Sequence, residues 1–294
     1  MIYFLVCTLL SKFAKLFMKK IIYILPIFIL IVSCSEYQKV LKQKEIKPKF
    51  DLANRLYDEG LKSDKKSKII KSIKLYEQIL PSLQGKPQAQ IVQYNIANAN
   101  YKIEDFVISG YKFERFTKAF PSSQKVEEAM FKSAKSYYEL SPPYSLDQSD
   151  TERAIDRLQI YIDQYPDGQY FDQANDYLEE LRRKIEKKFY EIAKQYHHTY
   201  KYKSAIHDFD NYFVNYPGSA FKEKAYYYKF ESAYLLAINS FEYLMEERLE
   251  EAMKYYDDYF ERYPEGEFIE QAKIYSNDIE VRIAEIKAKI KQQP

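Results

Sequence analysis

Ala205-Ile206-His207-Asp208-Phe209-Asp210-Asn211-Tyr212-Phe213-Val214-Asn215-Tyr216-Pro217-Gly218 is one of four versions of a single pattern in this chain. Counting from Ala205, aromatic side chains follow at the fourth and seventh places, and an aromatic-proline pair at the eleventh and twelfth. Ala154, Leu158, Tyr161, Tyr165, Pro166 and Gly168 repeat the pattern upstream; Ala252, Tyr256, Tyr259, Tyr263, Pro264 and Gly266 repeat it downstream. The earliest copy has Ser109, Phe113, Phe116, Phe120 and Pro121. Eight residues beyond each proline stands an alanine: Ala129, Ala174, Ala225 and Ala272.

Steps of four, three and four set one small and three large side chains on a single face of a helix. The small residue lets a neighbouring helix come close. Proline ends the helix and turns the residue before it away from helical geometry. Asp167-Gly168, Pro217-Gly218 and Glu265-Gly266 supply the turn. The alanine that follows belongs to the next helix. Fixed offsets within a unit, with only the distance between units varying, predict a helical-hairpin solenoid.

Composition agrees. The 294 residues include 31 Tyr and 19 Phe, which supply the core volume that Trp, absent here, does not. Six Gly and the lack of alternating β-branched runs speak against an all-β fold. Formal charge is +2, but the first 34 residues hold four lysines and no acid, which leaves −2 for the rest. Such a body has no electrostatic reason to hold nucleic acid. The two cysteines, Cys7 and Cys34, make no disulfide framework.

Met18-Lys19-Lys20 followed by the apolar run Ile21 to Val32 reads as a short signal sequence over residues 18–33. At about 1.5 Å per residue that run is too short to cross a bilayer. Residues 1–17 read as an upstream extension, the alternative being one long signal whose two apolar runs are split by Lys12 and Lys15. The run ends Ile31-Val32-Ser33-Cys34-Ser35, which resembles the lipobox of bacterial lipoproteins. That resemblance implies a diacylglyceryl group on Cys34, and two acyl chains hold a membrane stably where one does not. Residues 34–48 read as a lipidated tether, and 49–292 as the repeat array.

The array is similar to tetratricopeptide repeats, with a small residue at position 8 of helix A, Ala at 20, an aromatic at 24 and Pro at 32. Phe189, Ile192, Ala193 and Tyr196 then take positions 4, 7, 8 and 11 of a fourth helix pair, with Ala205, Phe209, Tyr212 and Pro217 in its second helix. Five pairs are expected, their position 8 at Ala53, Ala97, Ala134, Ala193 and Ala233. Pairs one, three and five carry extra residues between their helices. The first helix of pair four is long, from about Phe171 to His198, and its charged stretch Arg182–Lys188 reads as solvated surface. A capping helix from about Glu267 to Lys291 is expected to pack through Ile274, Val281 and Ile286.

Lipobox, Ser35-Glu36-Tyr37-Gln38, five such pairs, tyrosine-proline turns and the loop Ser141-Pro142-Pro143-Tyr144-Ser145-Leu146-Asp147-Gln148 together resemble the BamD family. Its members are lipoprotein subunits of the machinery that folds β-barrel proteins into the outer membrane. The resemblance implies a non-enzymatic scaffold on the periplasmic face of the outer membrane. It also implies partners: C-terminal repeats docking on the POTRA domains of a BamA-type barrel subunit, and N-terminal repeats holding unfolded outer-membrane clients. Other readings are a secretin pilotin, a cell-wall coordination factor or a SusD-like glycan binder, the last disfavoured by length.

No phosphate loop, dinucleotide fingerprint or nucleophile elbow is present, and no cofactor is expected. His197, His198 and His207 sit near the turn of pair four, where packing or solvated histidines are expected over a metal site. Asp150 or Thr151 reads as a helix start. Helix-A positions 5 and 12 face the inner surface in this fold, seven residues apart on one side of the helix. In pairs one to three they are Phe50 and Tyr57, Tyr94 and Tyr101, Phe131 and Tyr138. This aromatic ladder is either a peptide groove, with large contact area at low ordering cost, or core filling.

Overall fold

In pairs two to five a proline at the end of the repeat decides where the second helix stops. In the computed structural model, which describes residues 35–292, Phe120, Tyr165, Tyr216 and Tyr263 stand just before a proline at φ −133°, −132°, −129° and −135°. Each has left helical geometry, as the proline ring after it demands. Each still donates its N–H to the carbonyl four residues back, to Phe116, Tyr161, Tyr212 and Tyr259 respectively.

Among the described residues the chain is all helical, in sequential hairpins with no strand. The helices are α1 (Ser35–Lys42), α2 (Ile46–Ser63), α3 (Lys66–Ile79), α4 (Gln88–Lys102), α5 (Phe106–Ala119) and α6 (Val126–Leu140). They continue with α7 (Ser149–Gln164), α8 (Phe171–His198), α9 (Tyr202–Asn215), α10 (Lys222–Ile238), α11 (Glu242–Arg262) and α12 (Ile269–Gln292). A 3-10 turn, Leu80–Leu83, links α3 to α4. Pairs one to five are α2–α3, α4–α5, α6–α7, α8–α9 and α10–α11. The chain forms two compact units, one ending at Ser136 and one beginning at Tyr137.

The small residues lie where the pattern put them. Ser109, Ala154, Ala205 and Ala252 are fully buried, as are Ala129, Ala174, Ala225 and Ala272. Between them sit Phe113, Phe116, Leu158, Tyr161, Phe209 and Tyr259, each with no exposed surface. Burying one such side chain contributes about 1.5–3 kcal/mol. Pair one uses Gly60 for the same purpose: a Cβ there would lie 2.6 Å from Ile69 Cγ1 on α3.

The extra residues of pairs one, three and five are absorbed differently. Pair one extends the end of α2 and starts α3 earlier, pair five adds turns to the start of α11, and pair three makes the loop 141–148. Pairs two and four keep a tight turn, which needs a left-handed residue at the same place: Glu104 at φ 67° and Tyr200 at φ 60°.

Four expectations change. Part of the segment read as a tether is α1, whose Tyr37, Val40 and Leu41 pack on the first unit's core and whose Glu36 pairs with Arg55 at 2.6 Å. Helix α7 starts at Ser149, earlier than Asp150 or Thr151. Asp147 Oδ1 accepts the Ser149 N–H at 3.0 Å, and bonds from Ser149 hold the Asp147 carboxyl below its ordinary range. On α12, Ile274 and Val281 are exposed, while Ile269, Ala272, Ile279, Ile283 and Ile286 pack on pair five. Of the three residues expected to pack, Ile286 does, whereas Ile274 and Val281 lie on the side of the helix away from pair five. Fourth, the Arg182–Lys188 stretch is not merely solvated, because three of its lysines hold the loop of pair three.

Candidate functional site

The first unit gathers polar and aromatic groups from three successive first helices. Tyr57 on α2 and Asn98 on α4 meet where Asn98 Nδ2 donates to the Tyr57 hydroxyl at 2.6 Å. Asn98 Oδ1 accepts from Lys132 Nζ of α6 at 2.7 Å, and Lys132 also pairs with Glu128 at 2.6 Å. Lys125 pairs with the other oxygen of Glu128 at 2.9 Å. The Lys132 ammonium stands 5.9 Å from the Tyr94 ring centre and 5.8 Å from that of Tyr101, a cation between two aromatic faces. Burial alone would raise the Glu128 carboxyl, but hydrogen bonds from Lys132, Lys125 and Tyr94 outweigh it and hold it at about 2. Burial pushes the Tyr57 hydroxyl up to about 12.

The aromatic ladder is divided by these contacts. Tyr57 and Phe131 are buried, and Phe50, Tyr94, Tyr101 and Tyr138 are half-buried. Tyr57 meets Tyr76 edge-on at 6.3 Å, and Tyr94 meets Phe113 and Phe116 edge-on at 5.8 and 5.5 Å. Tyr101 meets Phe106 at 5.6 Å, and Phe50 packs on the core of pair one. Tyr138 belongs to the second unit, where it stacks on Tyr177 at 4.2 Å and donates to Glu180 at 2.7 Å. The four half-buried rings thus each keep one side in packing.

The loop of pair three is held from inside and outside. Gln148 is buried; its Nε2 donates to the Pro143 and Leu146 carbonyls at 2.9 and 3.0 Å, and its Oε1 accepts from Thr151 at 2.8 Å. From α8, Lys184 donates to Ser141 Oγ at 2.8 Å, Lys188 to the Leu146 carbonyl at 2.6 Å, and Lys187 lies 4.5 Å from the Tyr144 ring centre. Three lysines of the stretch read as solvated therefore strap this loop. The sequence signal was there, since the three recur with helical spacing on one side of α8.

His197 and His198 meet edge-on at 5.3 Å, but His207 does not join them. His197 lies 3.0 Å from Ser232 Oγ and 3.3 Å from Glu231, whereas His207 turns to Asn211 at 3.2 Å. Among the described residues no cluster could hold a metal ion.

A sequence model of the YfiO family, described as an outer membrane lipoprotein, matches residues 51–243. The chain belongs to this family. The match spans pairs one to four and the start of pair five, so the hairpin array itself carries the family's features. YfiO, or BamD, proteins are non-catalytic outer-membrane lipoproteins, which fits the sequence's lack of catalytic motifs. No curated protein matches the chain. Among the described residues no helix is long and apolar enough to cross a membrane. Cys34, the expected lipidation site, lies outside the described residues.

Proposed function

We propose that this YfiO-family chain is a lipid-anchored periplasmic scaffold of the β-barrel assembly machinery, held by Cys34. It binds a BamA-type barrel subunit through its later repeats and unfolded outer-membrane clients through its first three. The match over residues 51–243 carries this reading. The client reading is supported by the half-buried rings of Phe50, Tyr94 and Tyr101, the last two held beside the Lys132–Glu128 pair. Tyr57 and Phe131, being buried, contribute by supporting that surface and not by contact.

The test is detergent extraction of tagged full-length protein from its own membranes. A POTRA-bearing barrel protein should co-purify in near-stoichiometric amount. Its absence, with the tagged protein intact, would move the chain to another lipoprotein assembly. Cys34→Ala should abolish palmitate labelling and release the protein from the outer-membrane fraction; labelling that survives would assign the anchor to another residue.

A further inference from the structure

Position 7 of the first helix behaves alike in four of the five pairs. Leu52, Ile96, Ser133 and Ser232 are exposed by 6%, 0%, 5% and 0%. In pair four the same position is Ile192, and it is 38% exposed; its neighbour at position 4, Phe189, is 46% exposed. Two large apolar groups stand in solvent where every other pair buries position 7.

The cause is the length of α8. It has 28 residues where α4, α5, α7 and α9 have 14 to 16. Helix α7 packs on α8 and so does α9, and a cleft lined by Ile155 of α7 and Asn215 of α9 lies between them. Between them the middle of α8 is a floor carrying Ile185, Phe189, Ile192 and Tyr196, at steps of four, three and four. The cleft has a recess of about 410 Å³ against Ile155 and Ile185 and another of about 290 Å³ against Phe189 and Ile192. Both recesses share Asn215 and Tyr216.

The rim is acidic. Glu152, Asp156 and Glu186 border the first recess and Asp208 the second, with Arg182 as their cation, bonded to Gln159 at 2.9 Å; at the Ile192–Tyr196 end stand Glu191 and Lys188, the latter bonded to the Leu146 carbonyl. None of the four recess carboxylates has an ion-pair partner among the described residues. An apolar stripe at four-three-four spacing is the surface on which another helix packs ridge into groove. Carboxylates along both walls select a partner with Lys or Arg beside its apolar face.

We infer that the cleft between α7 and α9 is a docking groove for a basic amphipathic helix of a partner protein, seated on Ile185, Phe189, Ile192 and Tyr196. The bound helix would cover position 7 of pair four as the chain's own packing covers it elsewhere. All the residues involved lie in the second unit, so the inference stands apart from the client surface of the first.

The experiment uses full-length protein in detergent and three fluorescein-labelled 18-residue model peptides. One is a Leu/Lys helix with leucines at i, i+3, i+4 and i+7; one has the same composition scrambled; one is the matched Leu/Glu helix. The Leu/Lys helix should bind, and the other two should bind at least tenfold more weakly. Phe189→Ser with Ile192→Ser should weaken the Leu/Lys helix at least tenfold. Glu152→Lys with Asp156→Lys, at exposed positions that touch no core, should do the same and keeps the test valid if the first variant misfolds. Equal affinity of wild type and the charge-reversed variant, or equal binding of the Leu/Glu helix, would overturn the inference. So would dimerisation of the wild type that the serine variant abolishes, since it would assign the face to a second copy of this chain.

Discussion

The phenolic oxygen of Tyr259 accepts the backbone N–H of Phe268 at 3.2 Å, one residue before α12 begins. Tyr161 does the same for Tyr170 at 3.1 Å, one residue before α8. Tyr212 works through Ser219, whose Oγ lies 2.5 Å from its hydroxyl and accepts the Phe221 N–H at 3.1 Å ahead of α10. The first turn of a helix leaves N–H groups without partners. In these repeats the ring that fills the core also satisfies one of them. Phe116 has no hydroxyl, and there Ser123 Oγ accepts the Lys125 N–H at 3.2 Å instead. That is why the seventh place is tyrosine in three copies although phenylalanine would fill the same space.

Tyr259→Phe keeps the ring and removes both the acceptor and a long hydrogen bond that the hydroxyl donates to Glu223 at 3.5 Å. Losing one such bond costs about 0.5–1.5 kcal/mol. Urea unfolding of the variant should show a lower midpoint with an unchanged slope. An unchanged midpoint would mean that water replaces the hydroxyl without cost.

Tyr200 holds φ at 60° in the tight turn of pair four, and its side chain is 80% exposed. A non-glycine residue there costs about 1–2 kcal/mol, partly offset in glycine by its greater unfolded-state freedom, about 0.5–1 kcal/mol. Tyr200→Gly should therefore raise the thermal midpoint slightly, and Tyr200→Val should lower it, because a branched Cβ tolerates this geometry least. The two variants moving in the same direction would contradict the strain argument.

The hairpin fold was legible because its determinants are local: Ala205, Phe209, Tyr212 and Pro217 occupy one helix and its stop, so spacing alone reports them. The face of α12 was not legible in the same way. Ile274 and Ile279 are both apolar, and only the tertiary partner, pair five, decides that Ile279 is buried and Ile274 exposed. Position 7 of pair four failed for a related reason. Nothing near Ile192 in sequence says that α7 ends its cover before reaching it. At the candidate site the ring positions were legible, but the Asn98–Lys132–Glu128 chain was not, since it joins residues more than thirty places apart across two helices.

Ala205 is fully buried against α8 and α10, with Tyr190, Ala193 and Ala225 in the same cluster. Ala205→Leu adds three carbons where the helices already touch, and such overpacking costs about 1–3 kcal/mol. Calorimetry should show a lower melting temperature. A variant melting with the wild type would mean that the contact is looser than the burial implies.

Tyr94 meets two phenylalanine rings edge-on while leaving part of itself in solvent. Tyr94→Ala removes that packing, and full aromatic truncations cost about 3–5 kcal/mol, so roughly half that is expected from a half-buried ring. Denaturation measured beside the affinity for a C-terminal barrel peptide separates the ring's two roles. Weaker peptide binding with stability intact would make Tyr94 a contact residue alone, contradicting its edge-on packing against Phe113 and Phe116.

Glu128 ties the stability of the first unit to acid. Its carboxyl sits at about 2 against an ordinary 4.5, because hydrogen bonds from Lys132, Lys125 and Tyr94 more than reverse the upward push of burial. A carboxyl depressed in the folded state stabilises that state fully above its unfolded value, and the contribution fades as pH falls through the folded one. The window is therefore from about 4.5 down to about 2. Lys132 remains charged throughout it, so the ion pair is broken only from the carboxylate side. Glu128→Gln lacks this contribution at every pH and leaves the Lys132 ammonium short of a counter-charge. Its thermal midpoint should lie below the wild type at pH 7, and the gap should narrow steadily as pH is lowered across the window. Other depressed carboxyls, Glu59, Asp147 and Asp278, titrate in both proteins and cancel in the difference. A gap that stays constant from pH 7 to pH 2.5 would show that Glu128 acts through shape or neutral hydrogen bonding, and that its charge contributes nothing to holding α4 against α6.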